Sequence, residues 1–149
     1  MAGESDDPTV VSTIVVNAED VVSAVESVRR GGGETVLRIT PPFSGRMRAR
    51  IHVPVAGEYE GTEPEPIHVH PTDLLADDAP DYPTPADTED ELRADPDTTY
   101  SRERHRDYHA ERVAEWRERI TDHFAETATL DTPAGSHEVA VAVLGDPGD

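Results

Sequence analysis

The chain has 149 residues and a formal net charge of -19, from 32 Asp and Glu against 13 basic residues, and only 35% of it is hydrophobic. Every basic residue is Arg and there is no Cys, which excludes a disulfide framework, a thiolate metal site and a cysteine nucleophile. No run approaches the roughly 18 apolar residues of a membrane helix, so the composition predicts one soluble domain in the cytoplasm with no membrane contact.

Residues 1–8 read as a frayed acidic tail ending at Pro8, residues 9–145 as a single domain, and residues 146–149 as a second tail. The β-branched run 9–17 predicts a buried strand. Asn17 is a good helix N-cap, and Ala18, Val21, Val22, Val25 and Val28 then form one helical stripe that Gly31, Gly32 and Gly33 stop. Two strands follow, 34–40 and 46–53, around a turn at 41–45. Leu37 and Ile39 alternate with Arg38 in the first. In the second, Met47, Ala49, Ile51 and Val53 alternate with Arg46, Arg48, Arg50 and His52. Matching the apolar faces across this hairpin puts Arg38 with Arg46, Arg48 and Arg50 on one sheet face, beside Ala140 and Ala142 if the last strand joins the same sheet.

Residues 54–97 form an insert rich in proline and acid. Residues 55–99 hold fourteen Asp and Glu against Arg93 alone, so most of the net charge sits in this segment. Within it, 67–70 suggests a short edge strand, 71–75 one helical turn anchored by Leu74 and Leu75, and 86–95 a short helix ended by Pro96. The main helix is expected from about Thr98 to Glu126, with Val113, Trp116, Ile120 and Phe124 on its buried stripe. Toward its start the same face is occupied by His109, Arg106 and Arg102, so its first half overhangs into solvent or lies against something acidic. Strands at 126–132 and 136–145 complete the chain. The order β-α-β-β, insert, α-α, β-β predicts an α+β fold: a two-layer sandwich with a mostly antiparallel sheet and helices on one face.

No nucleophile elbow, phosphate loop or cofactor motif is present, which points away from an enzyme and implies no cofactor. His68 and His70 share a strand face, and His105 and His109 lie one helical turn apart. Neither pair has a glutamate partner in an H-E-x-x-H arrangement, and Arg104 and Arg106 flank His105, so no metal site is expected from them. The distinctive feature is the set Arg38, Arg46, Arg48, Arg50 and His52, with Arg102 and Arg106 on the main helix as a second basic run. Guanidinium forks pair phosphate or carboxylate in a bidentate way. Three uses of these residues are open: a non-enzymatic binding module for an anionic ligand or acidic protein partner, an RNA- or ribonucleoprotein-associated factor, and a small enzyme holding a phosphate or carboxylate substrate. Nucleic acid is disfavoured by the net charge and by the lack of stacking aromatics other than Phe43. Against all three stands an internal use, in which these arginines hold the chain's own acidic insert over the sheet; the charge census favours this last use.

A chain without lysine, rich in Asp and free of Cys has the composition of a cytoplasmic protein from an extreme halophile; an acidic protein of a GC-rich genome is the ordinary alternative. The segments LRITPPFSGRMRARIHV, EPIHVHPTDLL and LDTPAGSHEVAVAVLG resemble a small acidic protein family of halophilic archaea, over roughly residues 10–145. The resemblance implies a halophilic setting and carries no activity with it.

Overall fold

The computed structural model describes residues 4–31 and 34–145. The stop at Gly32 and Gly33, the first three residues of the N-terminal tail and the tail 146–149 lie outside these residues. The fold is α+β, with three helices and seven strands in two sheets among the described residues.

Strand β1 (Thr13–Asn17) runs into helix α1 (Ala18–Arg29), and the side chain of Asn17 caps it by accepting from Glu19 N. Gly31 ends it with φ of 77°, a left-handed conformation that glycine adopts without a Cβ clash, and its N–H donates to Val28 O. Val21, Val22, Ala24 and Val25 are buried on α1, as their spacing requires.

The next three strands are β2 (Val36–Ile39), β3 (Arg46–Arg48) and β4 (Arg50–His52). Here the single-hairpin expectation is corrected. The run 46–53 is divided at Ala49, which is buried and donates its N–H to Val15 O at 2.9 Å. Before this residue β3 pairs in parallel with β1; after it β4 pairs antiparallel with β2. One short run thus provides an edge strand to each sheet. Ile51 faces the core side opposite Leu37, yet its edge position leaves it 41% exposed, and Val53 lies beyond the strand at 61%.

Strand β5 (Ile67–Val69) takes the other edge of β2, giving an antiparallel three-stranded sheet in the order β4-β2-β5. The second sheet has the order β3-β1-β7-β6, with β6 (Thr127–Thr132) and β7 (Gly135–Leu144) forming an antiparallel hairpin and β7 running parallel to β1. One continuous core joins both sheets. It contains Ile14 and Val16 from β1, Leu37 and Ile39 from β2, Leu130 and Val139 from the last hairpin, and the α1 stripe.

The insert is structured rather than draped. Pro71–Leu74 forms a 3₁₀ turn with Leu74 fully buried. Helix α2 (Pro85–Ala94) is capped by Thr84, and helix α3 spans Arg102–Ile120, shorter at both ends than the sequence suggested. Trp116 and Ile120 are buried on α3. The Trp116 indole donates to Pro80 O at 3.0 Å and meets the Tyr82 ring edge-on at 4.9 Å. Glu26 of α1, 2% exposed, receives the Arg117 guanidinium at 2.7 Å and the Tyr82 hydroxyl at 3.3 Å. This pair fastens α3 to α1. At the N-terminus, Ser5 and Phe43 exchange two backbone hydrogen bonds of 2.7 Å, and Pro8 is buried in a 3₁₀ turn, Pro8–Val10. Residues of the expected frayed tail are therefore paired to the body.

Candidate functional site

Register assigns the basic residues to two places. In the three-stranded sheet Arg38 is opposite Arg50 on one side and His68 on the other, and Val36 is opposite His52. Arg38, Arg50, His52 and His68 therefore share the face turned away from the core. In the four-stranded sheet Thr13 is opposite both Arg46 and Ala140, and Val15 is opposite both Arg48 and Ala142. Arg46 and Arg48 thus share a face with Ala140 and Ala142, as expected, while Arg38 and Arg50 belong to the other sheet.

The loop 53–66 folds over the three-stranded sheet. Two residues with positive φ, Gly57 at 75° and Gly61 at 74°, allow successive tight turns closed by Glu58 N to Val55 O, Glu60 N to Gly57 O and Thr62 N to Tyr59 O. These turns aim Glu58 and Tyr59 at the sheet. Glu58 Oε1 lies 2.9 Å from His52 Nε2, and the Tyr59 hydroxyl lies 2.7 Å from His68 Nε2. Arg38 Nη1 is 3.3 Å from the same His52 nitrogen, and the two imidazole rings are 5.9 Å apart. The hydrogen bond from His52 holds the Glu58 carboxyl below its usual range. Burial, followed by the neighbouring His52, lowers the His68 imidazole. An open cleft of about 580 Å³ adjoins this cluster, lined by Glu58, Tyr59, Glu60, Glu63, Glu65 and His68 among others. No arginine lines it.

The expectation that the strand arginines hold the insert is overturned. Among the described residues, Arg38, Arg46, Arg48 and Arg50 make no ion pair with a carboxylate. The insert reaches the sheet through histidines, and its second half is held by α3. Glu91 of α2 accepts from Arg112 at 2.9 Å and from the Tyr108 hydroxyl at 2.6 Å, and these bonds hold its carboxyl below the usual range. The buried Thr88 hydroxyl meets His105 Nε2 at 2.9 Å and His109 Nδ1 at 3.0 Å. The first half of α3 therefore does lie against something acidic, the chain's own α2. Arg102 and Arg106 take no part in this contact: both are exposed and, among the described residues, make no ion pair.

The histidine pairs singled out by spacing have hydrogen-bond partners within the chain. His70 caps the 3₁₀ turn through Thr72, and His105 and His109 share Thr88. The grouping that sequence reasoning missed is His52, Glu58 and His68, whose candidate ligand atoms all lie within 4.8 Å of one another. It depends on β5 taking the far edge of β2, which nothing in the spacing reveals.

Among the described residues no helix is long and apolar enough to cross a membrane. Neither a curated protein nor a solved structure matches the chain. Residues 1–145 match the family described as a domain of unknown function, DUF8009, so the chain belongs to that family.

Proposed function

We propose that this protein is a non-enzymatic binding module of a salt-adapted, cytoplasmic, halophilic setting, and that Arg46, Arg48 and Arg50 dock the acidic surface of a partner protein. One observation carries the reading. Acids outnumber arginines 32 to 13 in this chain, yet these three exposed arginines make no ion pair with any carboxylate of the described residues. Guanidinium groups left open in so acidic a chain are available for bidentate pairing with an outside anion. The small side chains Thr13, Ala140 and Ala142 beside Arg46 and Arg48 leave a low surface for a partner to approach. Arg38 contacts His52, and His52 in turn meets Glu58 of the loop, so the two support the surface rather than form it. Arg102 and Arg106 are a separate exposed pair on α3.

An acidic protein surface is favoured over RNA because the aromatic residues beside the strands are already engaged: Phe43 is fully buried, and the Tyr59 ring packs edge-on against His68. The test is retention on immobilised polyglutamate and on an RNA homopolymer in molar salt, comparing the wild type with an Arg46→Ser, Arg48→Ser, Arg50→Ser variant. The reading expects retention on polyglutamate that the variant loses while its melting is unchanged. Equal retention of the two proteins contradicts it, and retention on RNA alone transfers the surface to nucleic acid.

A further inference from the structure

We propose that His52, Glu58 and His68 form a binding site for one first-row transition dication of the zinc class. Two imidazole nitrogens and a carboxylate oxygen, from three half-buried residues, lie within 4.8 Å of one another. Tetrahedral zinc with bonds of about 2.0–2.1 Å places its donors roughly 3.3 Å apart. The observed His52 Nε2 to Glu58 Oε1 separation of 2.9 Å is close to that spacing, and the His68 donor, within 4.8 Å of both, has to move closer to complete the set.

The hydrogen bonding gives a second, independent reason. His52 Nε2 faces the Glu58 carboxylate at 2.9 Å and the Arg38 guanidinium at 3.3 Å. One ring nitrogen cannot donate to the first and accept from the second in the same tautomer. Whichever proton arrangement is taken, one contact is mismatched. A cation between His52 Nε2 and Glu58 turns both into electron-pair donors toward a common centre. The Tyr59 hydroxyl lies 2.7 Å from His68 Nε2, and in the tautomer that leaves this nitrogen unprotonated the phenol donates to the lone pair that would bind the metal. Tyr59 then moves to the edge of the site, as a fourth ligand or as the partner of a bound water.

The surroundings favour a cation. Glu60, Glu63 and Glu65 line the adjoining cleft together with Glu58, and the opposing charge of Arg38 contacts a ligand atom. Two imidazoles with a single carboxylate suit zinc, cobalt or iron better than calcium or magnesium, which take oxygen ligands. A metal here would pin the loop 53–66 to strands β4 and β5.

The experiment titrates chelator-treated full-length protein with Co2+ and then Zn2+ in molar salt, which suppresses diffuse binding to the acidic surface. The site predicts one equivalent of Co2+ with a visible ligand-field band, displaced by one equivalent of Zn2+. His52→Ala and His68→Ala should each abolish the band. Glu58→Gln should weaken affinity by more than the roughly 10–100-fold that outer-shell changes cost. Arg38→Met should tighten binding, because it removes the opposing charge without touching a ligand; this gain cannot arise from a damaged fold. Absence of a saturable equivalent in the wild type overturns the proposal. So does binding that persists unchanged in both histidine variants, and so does an Arg38→Met protein that binds no more tightly than the wild type.

Discussion

Arg117→Met tests the fastening of α3 to α1. The substitution keeps most of the aliphatic stem and removes only the guanidinium. Glu26 then loses bonds of 2.7, 3.0 and 3.0 Å and retains only the Tyr82 hydroxyl at 3.3 Å. Removing one partner of a buried ion pair costs about 3–5 kcal/mol. Glu26 is 2% exposed but Arg117 is 55% exposed, so water can enter where the guanidinium stood, and the lower end applies, about 3 kcal/mol. At about 2–4 °C per kcal/mol for a chain of this size, the midpoint should fall by roughly 6–12 °C. Urea denaturation in molar salt, followed by Trp116 fluorescence, measures the change directly, because Trp116 stands one residue from the substitution and packs on Tyr82. A Glu26→Gln, Arg117→Met double variant should recover most of the loss, since a neutral amide can remain bonded to Tyr82. A loss below about 1 kcal/mol in the single variant would refute the reasoning and mean that water serves Glu26 as well as the arginine does.

Two further outcomes follow from the charge distribution and the histidines. Stability should rise with salt, because the Debye length contracts from about 10 Å at 0.1 M to about 3 Å at 1 M and screens repulsion among the acids of residues 55–99; melting temperatures that stay flat or fall with salt would contradict this. In metal-free protein, His68 and His109 should titrate below the ordinary imidazole value of about 6.5, because burial disfavours their charged forms. A lowered folded-state value means that the unfolded chain binds more protons below that pH. Their contribution to stability is then present above about 6.5 and is lost as pH falls from there through the folded-state values. Histidine NMR titration with parallel melting curves checks both statements, and a value at or above 6.5 for either residue would refute its assignment as a desolvated ring.

Local chemistry made part of this fold legible in the sequence. Asn17 and the valine stripe fixed α1, alternation separated Leu37 and Ile39 from Arg38, and Trp116 with Ile120 marked the buried end of α3. What alternation could not reveal was the change of partner at Ala49. A strand pattern that continues for eight residues reads the same whether one sheet receives it or two, and only the burial of a single small residue marks the crossing. The arginine positions were legible and their partners were not. A census of charge placed fourteen acids next to the hairpin in sequence, but register and loop geometry directed three of them, Glu58, Glu91 and Asp78, to His52, Arg112 and His123 instead. The His52, Glu58 and His68 grouping was hidden for a similar reason. It requires β4 and β5 to flank β2, a choice made by packing of Ile67 and Val69 into the core rather than by any spacing between the three residues.

The account stands most directly on whether Arg46, Arg48 and Arg50 act together on an acidic surface. Fluorescence anisotropy of a labelled polyglutamate peptide, titrated with the wild type and with each single Arg→Ser variant in molar salt, measures this. The account predicts saturable binding that weakens by roughly tenfold, about 1.4 kcal/mol, for each arginine removed, as expected for loss of a charge-assisted hydrogen-bonded contact. Affinity that is unchanged in all three single variants and in their combination would contradict it and leave the arginines as guards of two short edge strands.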